Sequence, residues 1–400
     1  MSFQDPTEEL VYKLCQRSFL SLWSYANPRR TRSNHELCDV LVACDRDVVI
    51  FSVKSCTFDA SEESVVAVKR WWKKAVEAPI RQIYGAERDL AQATHVTRSD
   101  GTQGLPLPPV AQRRVHRVSV SLGSNGFVPF SSRDFGKGFV HVFDDAFLNI
   151  GLRELDTITD FLGYLRAKEN LASQGPGLVI QGGEENLLAL YLFHGRSFPN
   201  DLPVIVVGDN WNRFVANPAY ARRVTADAPS YSWDGLIEFL CDDILGGRME
   251  FGNILSDNEM VVRYMARENR FERRILSDSL KDFRELARSG KVRARLSPSP
   301  SGVVYVFFNA PANYDRRARI AELGCRCFIA RNEFPEHEIV IGIGANIERA
   351  PKGYATDLCL LVCPDWSQEQ AECAERMKAE LGFFQSPDSK RIQRDEYPTE

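Results

Sequence analysis

The chain has 400 residues, of which 44% are hydrophobic and 26% are charged. This length and composition exclude a disordered or fibrous chain and predict two or three globular domains. Because 50 Lys and Arg residues stand against 54 Asp and Glu residues, the net charge is −4 and any nucleic-acid-binding surface has to be local.

The expected cellular setting follows from the N-terminus, the hydropathy and the cysteines. The first ten residues, MSFQDPTEEL, lack the basic and apolar regions of a signal peptide. No apolar stretch approaches the roughly 18 residues of a membrane-spanning helix. Ten cysteines are spread along the chain, mostly in apolar contexts, which is typical of a reducing compartment. We therefore expect a cytoplasmic protein that does not enter a membrane.

The N-terminal part is predicted to begin with a helix and a β-hairpin. Asp5 as N-cap and Pro6 at the first helical position form a helix start signal. The runs 39–44 and 47–54 are β-branched and almost continuously apolar, with a polar two-residue turn between them. This pattern predicts a hairpin whose strands are buried on both faces.

The remaining elements predict a mixed α/β (α+β) protein. Helices are predicted over 61–77, 80–93, 157–171, 184–194, 233–244, 258–289, 315–323 and 367–382. Strands are predicted over 115–121, 138–143, 203–208, 303–309, 326–331, 338–344 and 358–363. Breaks rich in Gly, Pro or Ser at 97–112 and 297–300 suggest three parts, namely 1–110, a central α/β region 111–296 and a C-terminal α/β unit 297–400.

The hairpin brings three polar side chains together. Pairing the strands around the turn places Asp39 opposite Ser52, and directly opposed residues lie on one face, roughly 4.5–5.5 Å apart. Lys54 lies two residues beyond Ser52 and therefore on the same face. A carboxylate is a suitable ligand for Mg²⁺, and an ammonium can orient a water molecule or offset charge on a phosphate. The arrangement favours metal-dependent hydrolysis of a phosphodiester.

The order helix, Asp-bearing strand, hairpin, Lys-bearing strand and helix resembles the core of the PD-(D/E)xK phosphodiesterase superfamily, which includes restriction-type nucleases. The resemblance covers about the first 95 residues. It implies a restriction-endonuclease-like domain over 1–110 that acts as an endonuclease with Mg²⁺ or Mn²⁺. It also implies metal-binding and catalytic roles for Asp39 and Lys54.

The same resemblance implies further site residues. A Glu on the first helix of the family matches Glu8 or Glu9, and Glu8 is preferred because it lies at the edge of the apolar stripe. A Gln on the later helix matches Gln82. Ser52 stands where the family has an acidic residue, so either Glu8 or Glu36 completes the metal site or the domain has lost catalysis.

Each of these residues also has a plain structural interpretation. Asp39 and Lys54 could form an internal ion pair, and Glu8 could serve only in capping the first helix. Gln82 could be a surface amide, and Glu36 a solvated acid in a loop.

Basic residues bracket the predicted site on both sides in the sequence. They are Arg29, Arg30 and Arg32 before the hairpin, and Lys69, Lys73 and Lys74 after it. Clustered cations of this kind bind the phosphates of DNA or RNA. The alternative is a solvated charged face.

Two other functions stay open at this point. One is a catalytically inactive nuclease-fold protein that binds nucleic acid or protein, and the other is an unrelated metabolic α/β enzyme with its site after residue 200. A nuclease joined to an unfamiliar α/β region would suit antiviral defence against phage in bacteria, by analogy alone. The C-terminal region is the expected place for a protein partner or for contacts within a homo-oligomer.

Overall fold

The computed structural model describes residues 5–58, 64–124, 132–175, 177–248, 255–345, 356–385 and 395–398. It is 50% helix and 22% strand, with parallel and antiparallel pairs in its sheets, which confirms the predicted mixed α/β class. The chain divides into two compact units, 1–221 and 222–400. The three-part division suggested by the sequence stays a prediction.

The first unit contains a large mixed sheet and the helices that cover it. Its elements are α1 (Pro6–Phe19), β1 (Ser24–Ala26), β2 (Val40–Cys44), β3 (Asp47–Ser55), α2 (Ser64–Trp72), a π-helical turn (Lys73–Glu77), α3 (Ala78–Leu90), β4 (His95–Thr97), β5 (Gln103–Pro106), a 3₁₀ turn (Val110–Gln112), β6 (Arg114–Leu122), β7 (Arg133–Asp134), β8 (Phe139–Phe143), α4 (Asp145–Glu154), α5 (Ile158–Gln174), β9 (Gly177–Ile180), α6 (Glu184–Phe193), β10 (Val204–Val207) and α7 (Asn210–Ala216), followed by α8 (Pro218–Asp227) across the boundary.

The large sheet has the strand order β1-β2-β3-β6-β8-β7. The pairs β1–β2, β2–β3 and β7–β8 are antiparallel, whereas β3–β6 and β6–β8 are parallel. The sheet therefore continues to Phe143, past the boundary at residue 110 that the sequence suggested, because β6 and β8 lie beside β3.

The hairpin of β2 and β3 has the predicted register. Cys44 pairs with Asp47 next to the turn, and the antiparallel pairing continues regularly toward the other end. The next pair beyond the ladder is therefore Asp39 and Ser52. Asp45 in the turn has a φ of 55°, a left-handed conformation that Asp adopts more readily than most residues.

Helices cover both faces of the hairpin, which is why both strands are apolar along almost their whole length. On one face, Ile50 belongs to a core cluster with Ile83 of α3. On the other face, the ring of Phe51 lies 6.5 Å from that of Phe19 in α1 and 6.2 Å from that of Phe161 in α5, measured between centroids. A polar side chain between these layers needs a hydrogen-bond partner.

The helix after β3 widens into a π turn for an identifiable reason. In a regular helix the carbonyl of Ala75 would accept a hydrogen bond from the residue at position 79, but Pro79 has no N–H to donate. The Ser121 hydroxyl of β6 donates to this carbonyl instead, at 2.6 Å. The missing N–H of Pro79, and the Ser121 hydroxyl that donates in its place, therefore explain the π turn over 73–77.

The second unit is built on a four-stranded sheet of order β11-β12-β13-β14. Its elements are a 3₁₀ turn (Ala228–Ser230), α9 (Tyr231–Leu245), α10 (Leu255–Ala266), α11 (Arg270–Arg288), β11 (Ala294–Pro298), β12 (Val303–Asn309), α12 (Arg316–Glu333), β13 (Ile339–Ala345), β14 (Thr356–Val362) and α13 (Gln368–Leu381). The predicted helix 258–289 is two helices, because Asn269 and Glu272 form a capping box that starts the second. In the described part of the chain, every helix is too short or too polar to cross a membrane.

One predicted strand of the second unit is wrong. The run 326–331 lies inside α12, which begins after the N-cap Asp315 and continues through it. Leu323, Cys327 and Ala330 recur at spacings of four and three residues, and all three pack into the core cluster of the sheet. The apolar residues of this run are thus one face of a helix rather than an alternating strand.

The bond from Ser121 to Ala75 makes a testable contribution to stability. Replacing Ser121 with Ala leaves a buried carbonyl without a donor, so we expect the free energy of unfolding to fall by about 1–3 kcal/mol. Ser173 is the matched control, because it is exposed and bonds only the local carbonyl of Asn170. Chemical denaturation monitored by circular dichroism measures both, and equal effects of Ser121→Ala and Ser173→Ala would contradict this explanation of the π turn.

Candidate active site

Asp39 is a buried carboxylate fixed by the neighbouring strand. It directly precedes β2, and 5% of its surface is exposed. Its Oδ2 atom accepts a hydrogen bond from the Val53 N–H and lies 3.3 Å from the Ser52 hydroxyl oxygen. The backbone of β3 therefore sets the orientation of the carboxylate, and the hairpin register places Ser52 beside it, as predicted.

Ser52 connects Asp39 to Gln82 of α3. The Ser52 hydroxyl oxygen lies 3.1 Å from the Gln82 Oε1 atom. A hydroxyl carries one proton, so Ser52 donates to Gln82 or to Asp39 at any one time. Because the Gln82 side chain is exposed, the contact links the buried carboxylate to the solvent-facing side of α3.

Glu36 lies in the loop before β2 and hydrogen-bonds the Asp39 carboxylate. Desolvation, this hydrogen bond and the charges of Asp39 and Glu8 raise the pKa of Glu36 to about 7. Burial also raises the pKa of Asp39, although the Val53 N–H and the Glu36 hydrogen bond partly offset the effect. The two carboxyl groups therefore titrate as a coupled pair, which holds a proton more tightly than an isolated carboxyl group does.

Glu8 of α1 is the third acid near Asp39. Partial burial and then the negative charge of Asp39 raise the pKa of Glu8, while the charge of Lys54 opposes the shift. Glu9, by contrast, forms an exposed ion pair with Lys13 at 2.6 Å. Of the two candidate glutamates on α1, the structure therefore places Glu8 toward the cluster.

Lys54 follows Ser52 by two residues in β3 and shares its face. Its side chain is exposed, and its charge lowers the pKa values of Asp39 and Glu8. The ammonium is thus close enough to act on the acids without being enclosed with them in a dry ion pair. This leaves it accessible to a phosphate that approaches from solvent.

The donor set can be compared with the needs of a divalent cation. Among the described residues, no three His, Cys, Asp or Glu side chains already form a metal-binding group. Mg²⁺, however, is commonly bound by one or two carboxylates together with water and substrate phosphate. Asp39 and Glu36, which are in contact and repel each other when both are ionised, fit that requirement, and Glu8 stands next to them.

The basic residues predicted to bind nucleic acid divide into two groups. Arg29 contacts Asn34, and Arg30 forms an ion pair with Asp89 at 3.2 Å, so both serve the structure of the loop. The side chains that extend into solvent are those of Arg32, Lys69, Lys73 and Lys74. The second group is available for phosphates, whereas the first is already engaged.

Sequence reasoning missed two contacts of the site. The Val53 N–H donates to Asp39, and the register could have revealed it, since Val53 is adjacent to the residue opposite Asp39. The direct Glu36–Asp39 contact depends on the loop, in which Arg29 forms backbone bridges with both Glu36 and Thr97. The sequence contains no signal for that loop conformation.

Comparisons with protein-family models, with curated proteins and with solved structures find no match to this chain. The similarity to the PD-(D/E)xK superfamily therefore rests on the residues and register of the hairpin, and membership of that superfamily stays a prediction.

The proton held by this coupled pair predicts how stability depends on pH without divalent ions. The pKa of Glu36 is about 7 in the folded protein, above the 4.5 of an ordinary glutamate, so the folded state binds this proton more tightly. The associated stability is fully present below pH 4.5 and is lost as pH rises through about 7. In EDTA we expect the melting temperature of the wild type to fall more steeply between about pH 5 and 8 than that of Glu36→Gln.

Differential scanning fluorimetry measures the two curves. Glu9→Gln, which removes an exposed acid from α1, is the control and should follow the wild type. Parallel curves for the wild type and Glu36→Gln would contradict the coupled pair.

Proposed function

We propose that the protein is a metal-dependent nuclease that hydrolyses phosphodiester bonds in DNA or RNA. The observation that carries the proposal is the cluster at the end of the hairpin. There, the carboxyl groups of Asp39 and Glu36 are in hydrogen-bond contact, and Lys54 lies exposed on the same face as Ser52. A buried carboxylate with a second acid in contact with it and an accessible ammonium nearby is suited to holding a divalent cation and the phosphate that binds it.

The carboxylates of Asp39 and Glu36 would hold the cation, with Glu8 beside them. Mg²⁺ or Mn²⁺ bound there would lower the pKa of a coordinated water molecule and stabilise charge on the leaving oxygen. Glu36 has to release its proton for this role, which its pKa of about 7 permits near neutral pH.

Lys54 and Gln82 do not bind the cation but act on the substrate and on Ser52. The Lys54 ammonium offsets negative charge that develops on the phosphate and orients the attacking water. Gln82 fixes the Ser52 hydroxyl through the 3.1 Å contact. Ser52, a neutral side chain in place of the usual acid, serves as a hydrogen-bond partner of Asp39, and Glu36 supplies the second negative charge.

The exposed lysines supply the attraction for a polyanionic substrate. Lys69 belongs to α2 and Lys73 and Lys74 to the π turn, whose inner side packs over β3 and β6. Each phosphate neutralised by a cation makes binding sensitive to salt. A nuclease with this local basic surface is compatible with the net charge of −4.

Cleavage assays test the proposal directly. With Mg²⁺ or Mn²⁺, we expect the full-length protein to degrade plasmid, single-stranded DNA or RNA, and EDTA to stop the reaction. Asp39→Asn and Lys54→Ala should each lower the rate by about 100-fold or more, because they remove a metal ligand and a stabilising charge. Gel electrophoresis of the products measures the rates.

Two variants serve as matched controls. Glu9→Gln and Lys13→Ala change an exposed acid and base of α1 and should cleave as the wild type does. Binding of nucleic acid in EDTA with no cleavage in any divalent ion would contradict the proposal and favour an inactive nuclease-fold binding protein. If the protein neither binds nor cleaves any of the nucleic acids tested, the result would favour a metabolic enzyme.

Cation binding can be measured independently of activity. A ligand that binds only the folded state stabilises it, by about 2.7 kcal/mol at a concentration 100 times its Kd. We expect Mg²⁺ or Mn²⁺ to raise the melting temperature of the wild type and of Glu9→Gln, and to have much less effect on Asp39→Asn and Glu36→Gln. An equal rise in all four proteins would place the cation elsewhere.

A further inference from the structure

A polar cleft lies in the first unit at the carboxyl ends of β9 and β10. The two strands are parallel, and each is followed by a loop and a helix, α6 after β9 and α7 after β10. The cleft has a volume of about 550 Å³, within the range of roughly 300–1,000 Å³ of small-molecule sites. In open α/β sheets, ligands bind outside the carboxyl ends of the strands.

The two loops of the cleft are joined by a buried amide. Asn186 is 5% exposed, and its Oδ1 atom accepts a hydrogen bond from the Trp211 N–H at 3.0 Å. Gly182 leaves the space for this side chain, because a Cβ atom there would lie 2.8 Å from the Asn186 Nδ2 atom. Gly182 also has a φ of 86°, which favours glycine. The cleft is therefore a built feature of both strand–loop–helix segments.

The cleft is rich in hydrogen-bond acceptors. The Oε1 atom of Glu185 accepts from the Gly183 N–H and the Asn186 amide, both at 3.2 Å. Its Oε2 atom is buried and has no hydrogen-bond partner in the described part of the chain. On the opposite loop, Asp209 is exposed and accepts from Asn212 at 2.6 Å. The buried Oε2 atom of Glu185 is therefore closed to a ligand, and the acceptor that lines the cleft from an exposed position is the carboxylate of Asp209.

An aromatic ring and one cation complete the lining. Trp211 is partly exposed, and its ring is supported by Phe214, with centroids 5.9 Å apart. Arg213 is exposed at the same cleft. One cation against two carboxylates disfavours a polyanion such as nucleic acid. It suits a small ligand with one short anionic group, a flat ring and vicinal hydroxyls.

We propose that this cleft binds a ribonucleoside mono- or diphosphate, with its ribose hydroxyls on Asp209, its base on Trp211 and its phosphate on Arg213. Carboxylates recognise ribose hydroxyls, aromatic rings stack on bases, and Arg binds phosphate as a fork of donors. The site is separate from the Asp39 cluster and does not depend on nuclease activity.

The experiment uses isothermal titration of the full-length protein in EDTA with ADP, GDP, CDP and UDP. We expect at least one diphosphate to bind. Its 2′,3′-dideoxy analogue should bind at least about tenfold more weakly, because a hydrogen bond to a charged group is lost. Arg213→Ala should weaken the diphosphate about tenfold and leave the corresponding nucleoside unchanged. Asp209→Asn should weaken both ligands.

Arg46→Ala, which removes an exposed arginine in the hairpin turn, is the control and should bind as the wild type does. Asp39→Asn should also bind normally, which separates this site from the proposed nuclease site. The proposal is overturned if none of the four diphosphates binds at millimolar concentration. It is equally overturned if binding persists unchanged in both Arg213→Ala and Asp209→Asn, or is lost in Asp39→Asn.

Discussion

A single buried carboxylate determines the rest of the candidate site. Asp39 stands at the end of an apolar hairpin, where an ionised group is unfavourable unless donors or a cation compensate it. The Val53 N–H supplies one donor, and a proton held by the coupled pair of Asp39 and Glu36 reduces the remaining charge. Both compensations are partial, because burial still raises the pKa of Asp39. The unmet demand for positive charge is the physical basis for expecting a divalent cation at this place.

The neutral side chain of Ser52 limits the negative charge that is buried beside Asp39. A second carboxylate at Ser52 would add another buried negative charge beside Asp39. Glu36 reaches the same carboxylate from a loop and is more exposed than Asp39. The negative charge of the cluster is thus distributed between a rigid strand and a loop, and Lys54 balances it from the exposed end of β3.

The parts of the structure that could be predicted are set by local patterns in the sequence, whereas the other parts depend on tertiary contacts. The hairpin and its register follow from apolar runs of the right length around a two-residue turn, so the Asp39–Ser52 pair could be placed from the sequence. Contact with Gln82 was implied only by the resemblance, because periodicity cannot tell which surface amide of a helix lies over a strand end. The pKa of Glu36 depends on a loop held by backbone bridges, for which the sequence has no signal. The run 326–331 was predicted as a strand because a short apolar run is compatible with a strand and with a buried helix.

The most direct measurement of the central claim is a crystal structure of the full-length protein soaked in Mn²⁺, with anomalous scattering used to locate the ion. We expect an anomalous peak in contact with the carboxylates of Asp39 and Glu36, on the face of the hairpin that carries Ser52 and Lys54. Absence of a peak at saturating Mn²⁺, or side chains of Asp39 and Lys54 on opposite faces of the sheet, would contradict it.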